Sequence, residues 1–184
     1  MVFLCEFNQI TTSLPNTCPP PATTFPTTPC PICPTCPTFK APCPENWIYW
    51  PERQKCYNYK TENANFAQAL SGCQQENASL ISIHDLQENL FVSSLTVDPK
   101  YDTWIIEVIW IGLNDPSKNG NWQWVDGSPV DYTIWQPNNP GNGSCVILAS
   151  GSRYESLNNG IANKWQTADC GTEIWYICEK NALV

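Results

Sequence analysis

Positive charge, histidine and long apolar runs are all scarce in this chain. Nine lysines and arginines face seventeen aspartates and glutamates, a formal net charge of −8 at pH 7 with a pI near 4.5. So acidic a chain offers no basic footprint to nucleic acid or to an anionic membrane. The one histidine, His84, stands at a predicted helix start with no serine or cysteine nucleophile nearby, and Asp85 beside it reads as the helix cap. No motif nominates a pair of catalytic carboxylates, so the enzyme class is set aside. No segment approaches the roughly 18 apolar residues of a membrane span. The first residues, Met1-Val2-Phe3-Leu4-Cys5, lack a basic lead and are broken by Glu6 far short of a secretory apolar region. Charge is missing from the tail as well: among residues 1–42 only Glu6 and Lys40 carry any.

Cysteine, proline and tryptophan are plentiful instead. Eleven cysteines in 184 residues point to an oxidising compartment, hence to a secreted or extracellular protein. A start that is truncated or misassigned is the expected reason for the missing leader. Residues 1–42 hold prolines 15, 19, 20, 21, 26, 29, 31, 34, 37 and 42 among many threonines. This reads as a disordered stalk or linker of polyproline II character, suited to O-glycosylation. Within it, Cys30, Cys33 and Cys36 recur with the three-residue period of polyproline II, so the sulfurs share one face about 9 Å apart. Neighbours at that spacing exceed the roughly 7 Å limit for a bridge without a turn. A parallel second copy could pair with them, which gives a disulfide-linked homo-oligomer; poorly ordered cysteines remain the other reading. A metal or iron–sulfur site is disfavoured because each cysteine precedes proline.

At Cys43-Pro44-Glu45-Asn46-Trp47 the composition changes, and residues 43–184 form one domain with enough apolar content, 42%, for a core. Trp47–Trp50 and Cys56–Tyr59 read as a hairpin that a Cys43–Cys56 bridge would close, worth about 3 kcal/mol in the chain-entropy model. Phe66, Ala69, Leu70 and Cys73 recur at helical spacing, with Thr61 or Asn63 as the cap. Ser82 and Asp85 have capping-box spacing for a second helix that bears Leu86, Leu90, Phe91 and Leu95 and ends at Asp98-Pro99. Trp110–Leu113, the Trp122–Gly127 stretch, Cys145–Leu148, a segment from Trp165 and Ile174–Glu179 supply strands. Between Trp135 and Cys145 lies a loop rich in Pro, Gly and Asn, the kind of segment in which function concentrates. The fold class is α+β.

These landmarks resemble the C-type lectin-like domain in its long form: the CPENW opening, Glu88 three before Phe91, WIGL at 110–113, WQWVDG at 122–127, Trp135, Cys145, Trp165 five before Cys170, and Trp175-Tyr-Ile-Cys178-Glu. The resemblance covers Cys43 to about Lys180. It implies two helices with small antiparallel sheets and a long loop region, and the bridges Cys43–Cys56, Cys73–Cys178 and Cys145–Cys170. Cys5, Cys18, Cys30, Cys33 and Cys36 are then left, an odd number that invites intermolecular pairing. Sugar-binding members hold calcium in the long loop. Here Asn139-Pro140-Gly141, Gly143 and Trp165-Gln166-Thr167 stand at those ligand positions, so carboxylates are absent where calcium draws its affinity. Of the auxiliary site, Asp115 remains, with Asn119 and Asn142 where carboxylates would be. The expectation is no metal cofactor, the primary calcium site being lost. Glu88 and Glu179 match a structural calcium position beneath the helices, but are read as surface carboxylates with Lys60 as partner.

The functional expectation is an extracellular recognition module that binds a carbohydrate or protein ligand without calcium; host defence is a role that many such domains serve. The candidate binding residues are Asn114, Asp115, Asn138, Asn139, Asn142, Gln166, Thr167 and Asp169, whose side chains match sugar hydroxyls as donors and acceptors. Against this, Asn and Asp in loops commonly satisfy local backbone. Tyr154, or Trp104 near Tyr101, would add a stacking face or else pack as loop anchors. Asn77-Ala-Ser79 and Asn142-Gly-Ser144 are N-glycosylation sequons. The alternative is a disulfide-cross-linked structural protein whose lectin-like head binds no sugar.

Overall fold

A computed structural model of the chain describes residues 41–96, 107–150 and 163–183. Cys5, Cys18, Cys30, Cys33 and Cys36, the Asp98-Pro99 helix end, and Tyr101, Trp104 and Tyr154 lie outside them. The elements run β1 (Ile48–Trp50), β2 (Lys55–Ala64), α1 (Phe66–Gln75), β3 (Ser79–Leu80), α2 (Leu86–Leu95), β4 (Glu107–Asn114), β5 (Gln123–Trp124), β6 (Cys145–Ser150), β7 (Lys164–Ala168) and β8 (Ile174–Asn181).

The strands join in the order β1-β2-β8-β4-β6-β7, with β3 on β8 and β5 on β4. Two antiparallel halves meet at one parallel pairing, Ile109 opposite Trp175 and Trp110 opposite Tyr176. β4 is therefore interior, and both of its faces are covered. Ile109, Ile111 and Leu113 enter one apolar cluster with Val146, Leu148 and Trp165, while Trp110 enters another with Phe66, Cys73 and Ile147. A continuous apolar run such as WIGL is the sequence signature of a strand buried on both sides. Three bridges close the frame: Cys43–Cys56, Cys73–Cys178 and Cys145–Cys170.

The cap of α1 departs from the sequence reading, and that of α2 is Asp85 as read. Asn65 caps α1: its side chain accepts from the Gln68 N–H, and the Gln68 side chain accepts from the Asn65 N–H, both at 3.0 Å. Thr61 and Asn63 are unavailable because β2 stays paired as far as Ala64 opposite Ile174. Asp85 caps α2 by accepting from the Glu88 N–H at 2.8 Å, and Arg53 pairs with it. The Glu88 N–H first, and Arg53 beside it, hold the Asp85 carboxyl below its ordinary value. A depressed folded value means stability present above the unfolded pKa near 3.8 and lost as pH falls through the folded value. Asp85→Asn, which keeps the cap, should flatten this acid limb of the stability profile; urea titrations across that pH range would read it.

Of the apolar residues expected on α2, Phe91 and Leu95 pack against the core, but Leu86 and Leu90 do not. Leu86 and Leu90 are 51% and 46% exposed, whereas Glu88, Asn89, Val92 and Ser93 face the interior. Glu88 and Asn89 are tolerated there because each has partners, while the Ser93 hydroxyl is buried without one among the described residues. Glu88 accepts from the Tyr57 hydroxyl at 3.1 Å and the His84 N–H at 2.9 Å. Asn89 accepts from the Trp165 indole N–H at 2.7 Å and donates to the Asn163 carbonyl at 2.7 Å.

Glu88 and Glu179 are likewise buried, at 1% and 5% exposure, and not surface carboxylates. Their shared cation is Lys55, whose Nζ lies 2.8 Å from Glu179 and 3.5 Å from Glu88. Lys60 instead pairs with Glu76. Burial pushes the Glu179 carboxyl up. It pushes the Lys55 ammonium down, but the two carboxylates outweigh it and the net shift is upward. The Ser82 hydroxyl lies 2.6 Å from Glu179 and 2.8 Å from Asp126, and His84 Nε2 is 3.3 Å from it. One hydroxyl proton cannot serve both carboxylates at once, and Glu179 is held besides by the Ser82 N–H at 2.9 Å.

Candidate functional site

The long loop leaves β5 at Trp124 and returns at β6. An aromatic cluster is its base. Trp165 of β7, fully buried, meets Trp124, Tyr132 and Trp135 edge-on at 5.6, 5.6 and 5.9 Å between centroids. Trp122 leans on Trp135 at 5.3 Å. Edge-to-face contacts of this kind add to the area each ring buries. The loop backbone also lies along β7: the Gln136 N–H donates to the Trp165 carbonyl, and the Trp165 N–H to the Ile134 carbonyl, each at 2.8 Å.

Above that base the structure brings some of the sequence candidates together and separates others. Asn139 and Thr167 meet: the Asn139 side-chain oxygen accepts from the Thr167 N–H at 3.0 Å and faces its hydroxyl at 3.3 Å. The Thr167 hydroxyl accepts from the Gly141 N–H at 2.9 Å, and the Asn139–Pro140 peptide is cis. These polar atoms hold the loop to β7. Gln166, one residue along, faces away from Trp165 and Thr167 by strand alternation. Asn138, at φ 64°, and Asn142 are exposed. Asp169 is exposed too, but its carboxylate accepts from the Gly171 N–H at 2.9 Å and shapes the turn after β7.

Asn114 and Asp115 stand at the loop's root and not on its surface. Asp115 is 4% exposed, accepts from the Gly120 N–H at 2.7 Å, and its N–H donates to the Ser144 carbonyl at 2.8 Å. Asn114 Oδ1 and Asp115 Oδ1 are buried and find no partner among the described residues. Both sequon asparagines, Asn77 and Asn142, are exposed.

Sequence reasoning missed the anchors on the loop's near side. Asp131 accepts from or faces His84 Nδ1 at 2.8 Å, and Asp126 meets Ser82, so the 126–131 segment is tied to the residues that precede α2. The His84 hydrogen bond holds the Asp131 carboxyl below its ordinary value. His84 does have a serine beside it, contrary to the sequence reading. Ser82, however, is 1% exposed and is held by two carboxylates, so it cannot meet a substrate. The alternation of Ser82 and His84 through the apolar run Leu80–Ile83 was the available signal.

The lectin C-type domain family model matches residues 62–180. The chain belongs to the C-type lectin domain family. Among curated relatives, mouse C-type mannose receptor 2 is 33% identical over 145 residues, 74% of this chain and 9% of the receptor. The C-type lectin lectoxin-Phi1 of Philodryas olfersii is 32% identical over 74% of this chain and 83% of its own length. This lectin domain thus spans about a tenth of the mannose receptor that it matches. Among solved structures, the cow CD23 C-type carbohydrate-recognition domain, determined in the presence of GlcNAc2Man3 oligosaccharide, superposes with TM-score 0.63 at 29% identity over 79% of this chain and 100% of its own. A calcium-independent type II antifreeze protein shares the fold, with TM-score 0.64 at 24% identity over 79% of this chain and 99% of its own. The C-type lectin domain is a recognition module and not an enzyme.

At the family's primary calcium position the backbone and side chains engage one another. A side chain at Gly143, where sugar-binding members carry a glutamate, would put its Cβ 2.5 Å from the Ala168 carbonyl oxygen and 2.6 Å from its nitrogen. The Asn139 oxygen already receives the Thr167 N–H. Among the described residues no three His, Cys, Asp or Glu side chains converge as a metal site.

Proposed function

We propose that this C-type lectin domain is a secreted or extracellular recognition module that takes a carbohydrate or protein ligand on its long-loop surface, with no calcium at the primary position. One observation carries the reading: the Gly143 backbone lies against Ala168 while the Asn139 oxygen is bound to Thr167. The loop is thereby closed by its own polar groups, in the place where a cation would otherwise organise it. The exposed amides of Asn138 and Asn142 remain for a ligand. The kinship with the CD23 carbohydrate-recognition domain favours a glycan. Binding of the full chain to a broad glycan array, run in calcium and again in EDTA, tests this. Equal signals are expected, with Asn138→Ala weakening binding about tenfold, the scale of one or two lost hydrogen bonds. Signal only in calcium would overturn the reading. A glycan on Asn142 would cover the same loop, so the array is to be repeated after enzymatic deglycosylation.

A second reading, a disulfide-cross-linked structural protein with a head that binds no sugar, is favoured by the tail. Cys5, Cys18, Cys30, Cys33 and Cys36 are odd in number, so at least one has no partner among them within a single copy. Non-reducing electrophoresis of the full chain is then expected to show a ladder that collapses on reduction. Silence on the array in both conditions together with such a ladder would favour this reading.

A further inference from the structure

A cleft of 560 Å³ runs along α1, between the helix and the end of β2. None of the residues that line it belongs to the long loop. The Tyr176 hydroxyl of β8 lies at its base, and two local features put it there. Gly72 leaves the room: a Cβ at that position would stand 2.6 Å from the Tyr176 oxygen. The β2–β8 ladder also slips between Lys60, opposite Tyr176, and Ala64, opposite Ile174, so a step of four residues on β2 answers a step of two on β8. Glu62 lies in that slip, and such irregularities re-aim side chains. The Tyr176 hydroxyl, on a residue only 2% exposed, donates to Glu62 Oε1 at 2.5 Å. Burial first, and then this hydrogen bond, push the phenol above its ordinary value, so Tyr176 stays the donor. One oxygen of the exposed Glu62 carboxylate is thereby fixed, and the other is left for a ligand.

We infer that this cleft takes a basic side chain, lysine or arginine, of a protein or peptide partner. Among the described residues no cation stands within salt-bridge distance of Glu62. Lys60, two residues before it, is paired with Glu76. From Phe66 to Gln75, α1 has no charged residue, so an entering cation meets a carboxylate and no positive charge on the helix. An anionic ligand would meet only repulsion. The rest of the lining suits a side chain that arrives on a backbone. Ser71 and Gln75 offer oxygens to an ammonium or guanidinium group. Gln68 has its side-chain oxygen engaged by the Asn65 N–H at 3.0 Å and keeps its NH2, a donor for a peptide carbonyl. A neutral sugar would find no exposed ring to stack on, because Tyr176 is buried. The net charge of −8 draws a basic partner toward the chain, and the exposure of Glu62 makes each such contact weak and salt-dependent.

N-acetyl-lysine N-methylamide and its arginine analogue, each titrated into the isotope-labelled full chain at low salt, test this by amide chemical shifts. Saturable shifts are expected at Ser71, Gly72 and Gln75, with a Kd on the order of 1 mM that weakens in about 0.5 M salt. The uncharged counterpart, N-acetyl-norleucine N-methylamide, should leave those amides in place. Glu62→Gln should weaken binding about fivefold, the upper range for one exposed ion pair. Tyr176→Phe keeps the charge and the ring but frees the carboxylate, so a smaller loss, about twofold, is expected. Ser71→Lys sets the chain's own cation at the cleft from an exposed helix position, so the shifts should vanish while the melting temperature holds. No saturable shift from either basic probe, equal shifts from the norleucine probe, or unchanged affinity in Glu62→Gln would each overturn the proposal. Methyl mannoside moving the same amides at lower concentration than the basic probes would overturn it too, and would make the cleft a sugar subsite.

Discussion

Replacing Lys55 by methionine is expected to destabilise the domain by about 3–5 kcal/mol, the scale seen when one partner of a buried ion pair is removed. Glu88 and Glu179 are almost wholly out of solvent, and Lys55 is the cation within salt-bridge distance of both. Methionine keeps the length of the side chain, so the loss is one of charge and not of packing. The pH dependence gives the effect a signature. The Lys55 value is raised in the folded state, so its contribution is present below the unfolded pKa near 10.5 and is lost as pH rises through the folded value. Glu179 is raised as well, by burial, and so favours folding below its unfolded value near 4.5; that contribution fades as pH rises. Without Lys55 the Glu179 carboxyl loses the cation that opposes its burial and resists ionisation more strongly. The gap between variant and wild type should therefore be small near the acid end and widen toward neutrality. Adding Glu88→Gln and Glu179→Gln to the variant should recover much of the loss at neutral pH. Urea unfolding followed by far-UV circular dichroism at several pH values measures this; a deficit under about 1 kcal/mol at neutral pH would mean that the cluster is solvated as a surface pair is.

Trp165→Ala should cost a comparable amount, about 3–5 kcal/mol, and should act on the loop as well as on the core. The indole is completely buried, and three aromatic rings rest on it edge-on. Two of them, Tyr132 and Trp135, belong to the long loop. Truncation also leaves the Asn89 oxygen, which accepts the indole N–H at 2.7 Å, buried without a donor, a penalty of about 1–3 kcal/mol within the total. Trp165→Phe keeps a ring and loses the donor, so it should fall between. Limited proteolysis supplies the second readout: cleavage within residues 126–143 should rise more steeply in the alanine variant than cleavage elsewhere. Uniform sensitivity across the domain would mean that Trp165 supports the core alone.

Both sites show what could be read in the sequence and what could not. WIGL announced β4 because a strand covered on both faces must be apolar at every position, and tryptophans before cysteines marked β7 and β8. The inner face of α2 gave no such sign. Leu86 and Leu90 satisfy the helical period, yet the residues that make Glu88 and Asn89 tolerable inside come from β2 and β7, with Tyr57 31 residues before Glu88 and Trp165 76 residues after Asn89. No local pattern carries a partnership of that range. Asn65 was passed over as the cap because the end of β2 is set by its pairing with β8. At the candidate site, residue types indicated a loop of amides, but only the register of β7 shows that Thr167 turns toward Asn139 while Gln166 turns away. Asp115 has the composition of a ligand and the burial of a structural residue, and composition alone does not separate the two.

As proposed, the loop holds its shape through Asn139, Thr167 and Gly143 without calcium. Thermal unfolding of the full chain in millimolar calcium and in EDTA tests it most directly. A site that binds calcium at a hundredth of the concentration used would add about 2.7 kcal/mol, which for a domain of this size raises the melting temperature by several degrees. Coincident curves are expected. A reproducible rise in calcium that disappears in Asn139→Ala would contradict it, because the ion would then be held by the very oxygen assigned here to Thr167.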